Sequence, residues 1–273
     1  MTPAIALFVL VQGSLSTAPA ADLRASAALT LTTGLGAVQS EVPEFSDAQR
    51  SARLRESIAA AATDLGAASL LGSRLRSLAA ASAPFSDLQR ETGAIAVDLS
   101  FMPVIEADRP RGFPGATPVG EVLVLDYPAS RLARVSMKRG YGPENSAFRK
   151  LFQHIESNRI PMTAPVEMTY DAAGERQTAM AFLYASTDVG RLGSAGEVEV
   201  VDVAPLRVAS FGLRGRRTDE RVLDAKRAVE GWLAGRSDIE AAGHVRVMGW
   251  NGPMTPITRS YFEVQIPVRA KTP

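Results

Sequence analysis

No cysteine occurs in the 273 residues. That excludes disulfides, thiolate metal sites, a cysteine nucleophile and covalent c-type heme attachment. Histidine is almost as scarce, with two residues, His154 and His244. Charge of one sign is also lacking: the formal net charge is +1, so the total gives no reason to expect nucleic acid or an anionic membrane as partner. Long apolar runs are missing as well. The stretch from Ile5 to Val11 is too short to span a bilayer, and no other window approaches a membrane helix. Catalytic signatures are absent too: there is no Gly-x-Ser-x-Gly elbow, phosphate-cradling P-loop or His-Glu-x-x-His. Gly212-Leu213-Arg214-Gly215 is too sparse for a nucleotide loop.

What is present is an ordinary globular composition, 46% apolar and 22% charged, long enough for one or two domains. The short apolar run followed by Ala18-Pro19-Ala20 reads as a signal peptide over residues 1–20, although its first segment has no Lys or Arg. Export or a periplasmic location is therefore expected, with the cytoplasm as the alternative. Residues 21–44, rich in Ala, Ser, Thr and Gly without clear period, read as a linker. An Ala-rich helical arm is expected over 45–95. Ser46 to Gln49 looks like a capping box, Leu54, Ile58, Ala61 and Leu65 recur at helical spacing, Gly66 and Gly72 interrupt, and helix resumes towards Pro84. A last short helix starts near Ser86. Packing on its own body is the simpler role for this arm, and contact with a partner or membrane surface is the alternative.

From about Phe101 the pattern changes. Prolines 103, 110, 114 and 118 punctuate a loop, and β-branched runs follow. Strands are expected at 121–126, 131–137, 162–170, 177–184, 198–203, 206–213, 244–249 and 260–268. Helices are expected from Asn145 to about Asn158 and after Thr218 or Asp219. Phe148, Leu151, Phe152 and Ile155 form one apolar stripe on the first of these helices. The order of elements repeats, and Arg131-Leu132-Ala133 is echoed by Arg207-Val208-Ala209, as Arg139-Gly140 is by Arg214-Gly215. The expected fold is α+β: two similar β-α-β units in one sheet system, with a helix from each packed against it.

Phe148-Arg149-Lys150-Leu151-Phe152-Gln153-His154-Ile155, Asn158 and Ile160-Pro161-Met162-Thr163-Ala164-Pro165-Val166 resemble the SOUL heme-binding protein family. So do Trp250-Asn251-Gly252-Pro253, Arg259 and Phe262-Glu263-Val264, although Tyr261-Phe262 stands where the family usually has Arg-Asn. The likeness runs over roughly 118–268, inside a domain drawn at 100–273. It implies a distorted antiparallel β-barrel of two pseudo-symmetric halves with two long helices. It also implies noncovalent binding of heme or another tetrapyrrole in a hydrophobic cleft, without turnover.

Heme requires a flat apolar slot, cations for its propionates and sometimes an axial ligand. The stripe of Phe148, Leu151, Phe152 and Ile155 could wall the slot, with Met162 as soft filler; core packing is the plainer role for each. Arg134 and Lys138 point to one side of a strand and could meet propionates. His154, at the border of the stripe, is the candidate iron ligand, and His244 a weaker one. Two other readings stay open: a carrier or sensor for a non-heme apolar ligand, favoured by an acid buried in the cleft, and an interaction module acting through the N-terminal helices.

Overall fold

The structure, a computed structural model, describes residues 19–39, 45–137, 144–252 and 254–271. Its N-terminal part is four helices, α1 (Ala21–Gln39), α2 (Asp47–Leu65), α3 (Leu70–Ala80) and α4 (Phe85–Ser100). The capping box forms: the Ser46 hydroxyl accepts the Gln49 N–H while the Gln49 side chain accepts the Ser46 N–H. Gly66, at φ 78°, ends α2. Leu54, Ile58, Ala61 and Leu65 are buried with Leu31, Leu75, Leu88 and Ile95 in one helical core.

Two expectations are corrected here. Residues 21–39, assigned to a linker, are helix α1, because Ala27, Leu31, Gly34 and Val38 make a buried stripe at helical spacing. The small residues that look flexible in the sequence serve close packing: a Cβ on Gly34 would collide with Ser57 of α2. The last helix is also not short, since α4 continues to Ser100, past the boundary drawn at 95.

The remainder is β1 (Val122–Tyr127), β2 (Ser130–Ser136), α5 (Glu144–Ser157), β3 (Val166–Tyr170), β4 (Gln177–Leu183), β5 (Gly193–Ala195), β6 (Val198–Val203), β7 (Leu206–Arg214), α6 (Asp219–Ala234), β8 (Ile239–Ala241), β9 (Arg246–Gly249) and β10 (Tyr261–Ala270). Neighbouring strands pair antiparallel in the order β1-β7-β10-β9-β3-β4-β2-β6-β5, with β8 on β10. The expected barrel is not closed. β1 crosses to β7 and β6 crosses to β2, so the outermost strands β1 and β5 lie at opposite ends of the path and, among the described residues, do not pair.

Strand alternation divides the sheet into two faces. Met168, Met180, Phe182, Val247, Phe262 and Val264 share one core with Leu151 and Ile155 of α5 and Val222 and Val229 of α6. Leu183, Met248, Trp250 and Tyr261 point the other way. There the 101–120 segment covers them: Phe113 meets Tyr127 edge-on at 4.9 Å, and Phe101 stacks on Tyr261 at 6.2 Å. Beneath it Glu263, fully buried, accepts the Thr117 N–H (2.7 Å) and the Tyr261 hydroxyl (3.0 Å).

The helical arm is built into this body. The buried Glu121 carboxylate accepts the Ser69 hydroxyl (2.5 Å) and the N–H groups of Leu70 (2.9 Å) and Leu71 (3.3 Å), which are orphan donors of the first turn of α3. Buried Arg24 donates to the carbonyls of Asp98 and Val119, both at 3.0 Å. Among the described residues no helix is long and apolar enough to cross a membrane.

Candidate functional site

A cleft of about 670 Å³ opens near the middle of the sheet order, along β3 and β9. Its size falls in the range of about 300–1,000 Å³ usual for small-molecule sites. Phe148 of α5, Met168 of β3, Met180 of β4 and Phe262 of β10 form apolar walls, and Met162 lies on the chain leading into β3. Met168 and Met180 are register partners, so their thioethers sit side by side. Phe148 is held edge-on against Phe182 at 5.0 Å. A Cβ on Gly249 would stand 3.1 Å from the Met168 methyl, so glycine keeps the floor low.

The proline-flanked segment is positioned by its threonine. Thr163 is buried and its hydroxyl donates to the Leu183 carbonyl at 2.7 Å. The Ala164 N–H donates to the Asp108 carbonyl at 3.0 Å. With Thr163 anchored inwards, its neighbour Met162 lines the cleft.

Cations reach the cleft from the loop between β7 and α6. Arg217 donates to the Tyr170 hydroxyl at 2.8 Å, and Arg216 is exposed with no carboxylate partner among the described residues. Glu106 is the acid in the lining. It is exposed, and its oxygens accept the Gly252 N–H (2.9 Å) and the Thr255 hydroxyl (2.5 Å). Those bonds, the Thr255 hydroxyl first, hold its carboxyl below the ordinary range.

Of the residues singled out from sequence, the cleft brings together Phe148 and Met162. Leu151 and Ile155 lie in the core beneath α5. Phe152 is exposed and stacks on Phe148 at 6.2 Å. Arg134 is exposed on β2 and paired with Glu199 at 2.8 Å, outside the cleft. Lys138 lies outside the described residues. His154 is also outside the cleft: its Nε2 is 3.0 Å from the Tyr184 hydroxyl, and burial pushes its pKa down. His244 is exposed beside a smaller cavity of about 230 Å³ on the opposite face, near the Arg246–Glu167 pair at 2.9 Å. Sequence reasoning missed Arg216, Arg217 and Phe262. The one signal for the arginines was the echo of Arg139-Gly140 in Arg214-Gly215, just before them in the sequence.

Fold and cleft together define an α+β protein with an open antiparallel sheet and an apolar ligand-sized slot at its middle. The model of the SOUL heme-binding protein family matches residues 121–267, more than half of the chain, and the chain belongs to that family. Solved structures that match include EcmrR in its DNA complex, at 15% identity over 54% of this chain and 57% of that one, TM-score 0.42. This chain thus spans little more than half of that EcmrR chain. The EcmrR C-terminal domain alone matches at 13% identity, over 55% of this chain and 97% of that one, TM-score 0.41. An uncharacterized conserved protein from Listeria innocua matches at 12% identity, over 56% and 94%, TM-score 0.41. No curated protein matches the chain.

Proposed function

We propose that the protein binds heme or a related tetrapyrrole noncovalently in the cleft at the β3–β9 junction, as a carrier, buffer or sensor and without turnover. The observation that carries this is an apolar slot of about 670 Å³ with arginines at its mouth, in a chain of the SOUL heme-binding family. Met162, Met168 and Met180 are soft, adaptable walls for a planar macrocycle. Arg217, rather than Arg134, would hold a propionate through charge-assisted hydrogen bonds. No histidine lines the cleft among the described residues, so the binding mode proposed does not depend on an axial histidine. A non-heme apolar cation is disfavoured by the same lining, because its acid, Glu106, is exposed and already hydrogen-bonded.

We also propose that the sheet consists of two pseudo-symmetric units, β1-β2-α5-β3-β4 and β6-β7-α6-β9-β10. Exchanging corresponding strands of the two units turns the order β1-β7-β10-β9-β3-β4-β2-β6 into the same order read from its other end, which supports this reading. Export is proposed on the pattern within residues 1–20 alone, of which 1–18 lie outside the described residues.

Hemin titration of the full chain, followed by Soret absorbance, tests the binding proposal. A saturable, red-shifted band at one hemin per chain is expected. A folded protein that gives no such band contradicts it.

A further inference from the structure

A second groove, of about 840 Å³, lies where the N-terminal helices meet the SOUL unit. Leu70 and Leu71 of α3 form one side, Phe211 and Leu213 of β7 the floor, and Trp232 of α6 the other side. The groove is separate from the tetrapyrrole cleft: the loop Gly215–Arg217 stands between them, and only Gly215, Arg216 and Ile257 border both.

Its polar lining is one-sided. Five arginines face it, Arg74, Arg214, Arg216, Arg221 and Arg227. Three carboxylates answer them: Glu91 pairs with Arg74 (2.7 Å), Asp98 with Arg214 (2.5 Å) and Asp224 with Arg227 (3.0 Å). Five guanidiniums against three carboxylates leave two over, and those are Arg216 and Arg221, neither of which has an ion-pair partner among the described residues. Arg221 is fixed in place by donating to the carbonyls of Arg216 (2.6 Å) and Arg214 (2.7 Å), contacts that orient it without neutralising it. Arg221, half-buried, and Arg216, exposed, stand beside a long apolar floor without an ion-pair partner among the described residues, an arrangement that suits an anion carrying its own apolar surface.

We propose that this groove binds an anionic amphiphile, a long-chain fatty carboxylate, with its head at Arg216 and Arg221 and its tail along Leu70, Leu213 and Trp232. The helical arm thereby gains a role: α3 supplies one wall of a site that the SOUL unit alone would leave open.

The test is calorimetric titration of the full-length protein with oleate below its micelle concentration, alongside dodecyltrimethylammonium as a cationic amphiphile. Saturable oleate binding with no response to the cation is expected. Gly231 of α6 borders the groove, and a Cβ there meets nothing within 4 Å, so Gly231→Phe adds bulk at the groove without a clash at Cβ. It should weaken oleate at least tenfold while leaving thermal midpoint and hemin affinity unchanged. Arg216→Glu should weaken oleate by a similar factor. Absence of oleate binding, equal binding of the cationic amphiphile, full binding by Gly231→Phe, or one-for-one displacement of oleate by hemin would each overturn the proposal. The first three outcomes leave the tetrapyrrole reading untouched.

Discussion

Arg131 of β2 holds Asp202 of β6 through two donors, Nε at 2.7 Å and Nη2 at 3.0 Å. Arg207 of β7 holds Asp126 of β1 at the same two distances. Each pair joins register partners on neighbouring antiparallel strands. These bonds from arginine hold both aspartates below the usual carboxylate range. A depressed folded-state pKa gives stability that is present above the unfolded value, near 3.9, and lost as pH falls through the folded one. The thermal midpoint should therefore drop as pH is lowered below about 4, and Asp126→Asn and Asp202→Asn should each make that drop shallower. Circular dichroism melts from pH 2 to 7 check this; acid profiles identical to wild type would mean the pairs contribute nothing.

Glu121 gives a sharper prediction. Removing its carboxylate leaves the donors of Ser69, Leu70 and Leu71 without a partner at the junction of arm and sheet. Orphaned buried donors cost about 1–3 kcal/mol each. Glu121→Ala should lower stability by about 3 kcal/mol in urea titration and expose the 101–118 segment to protease. Unchanged protease resistance would show that the arm does not depend on this contact.

Leu151 and Phe148 share one helix face but have different surroundings. Leu151 is fully buried, so Leu151→Ala should cost about 2–5 kcal/mol and leave hemin affinity intact in the folded fraction. Phe148 lines the cleft, so Phe148→Ala should weaken hemin binding by at least several-fold. Equal effects of the two variants on hemin would contradict the separation of core from cleft.

His154 is predicted to be irrelevant to iron. Its ring faces Tyr184, and His154→Gln should leave the Soret maximum of the hemin complex where it is. Burial lowers its folded pKa, so the unfolded chain binds more protons in the interval below about 6.5. The stability it contributes is present above that pH and is lost as pH falls towards the folded value. The variant should lose that slope in melts between pH 5 and 7.

Much of this architecture is legible in the chain. The stripe on α5 and the Thr218 cap of α6 follow from periodicity and capping chemistry, and both are found. Composition misleads at α1, where Ala, Thr and Gly serve close helix packing and only incidentally resemble a linker. The cleft is harder to foresee because its walls come from separate elements. Phe148 and Phe262 are 114 positions apart (262 − 148), and no local period links them. Arg216 and Arg217 look like loop charges until the fold sets Arg217 against Tyr170 of β3, at the centre of the sheet order. Arg134, by contrast, reads as a free cation until its strand partner Glu199 is known.

The account rests on a macrocycle lying against three methionines, and methyl-labelled NMR observes that contact directly. The chain has eight methionines, of which Met162, Met168 and Met180 line the cleft. Titration of [¹³C-methyl]methionine-labelled protein with diamagnetic gallium protoporphyrin should produce large ring-current shifts at those three methyls and small ones at Met102, Met248 and Met254. Shifts centred on any other methionine, or none at saturating porphyrin, would contradict it.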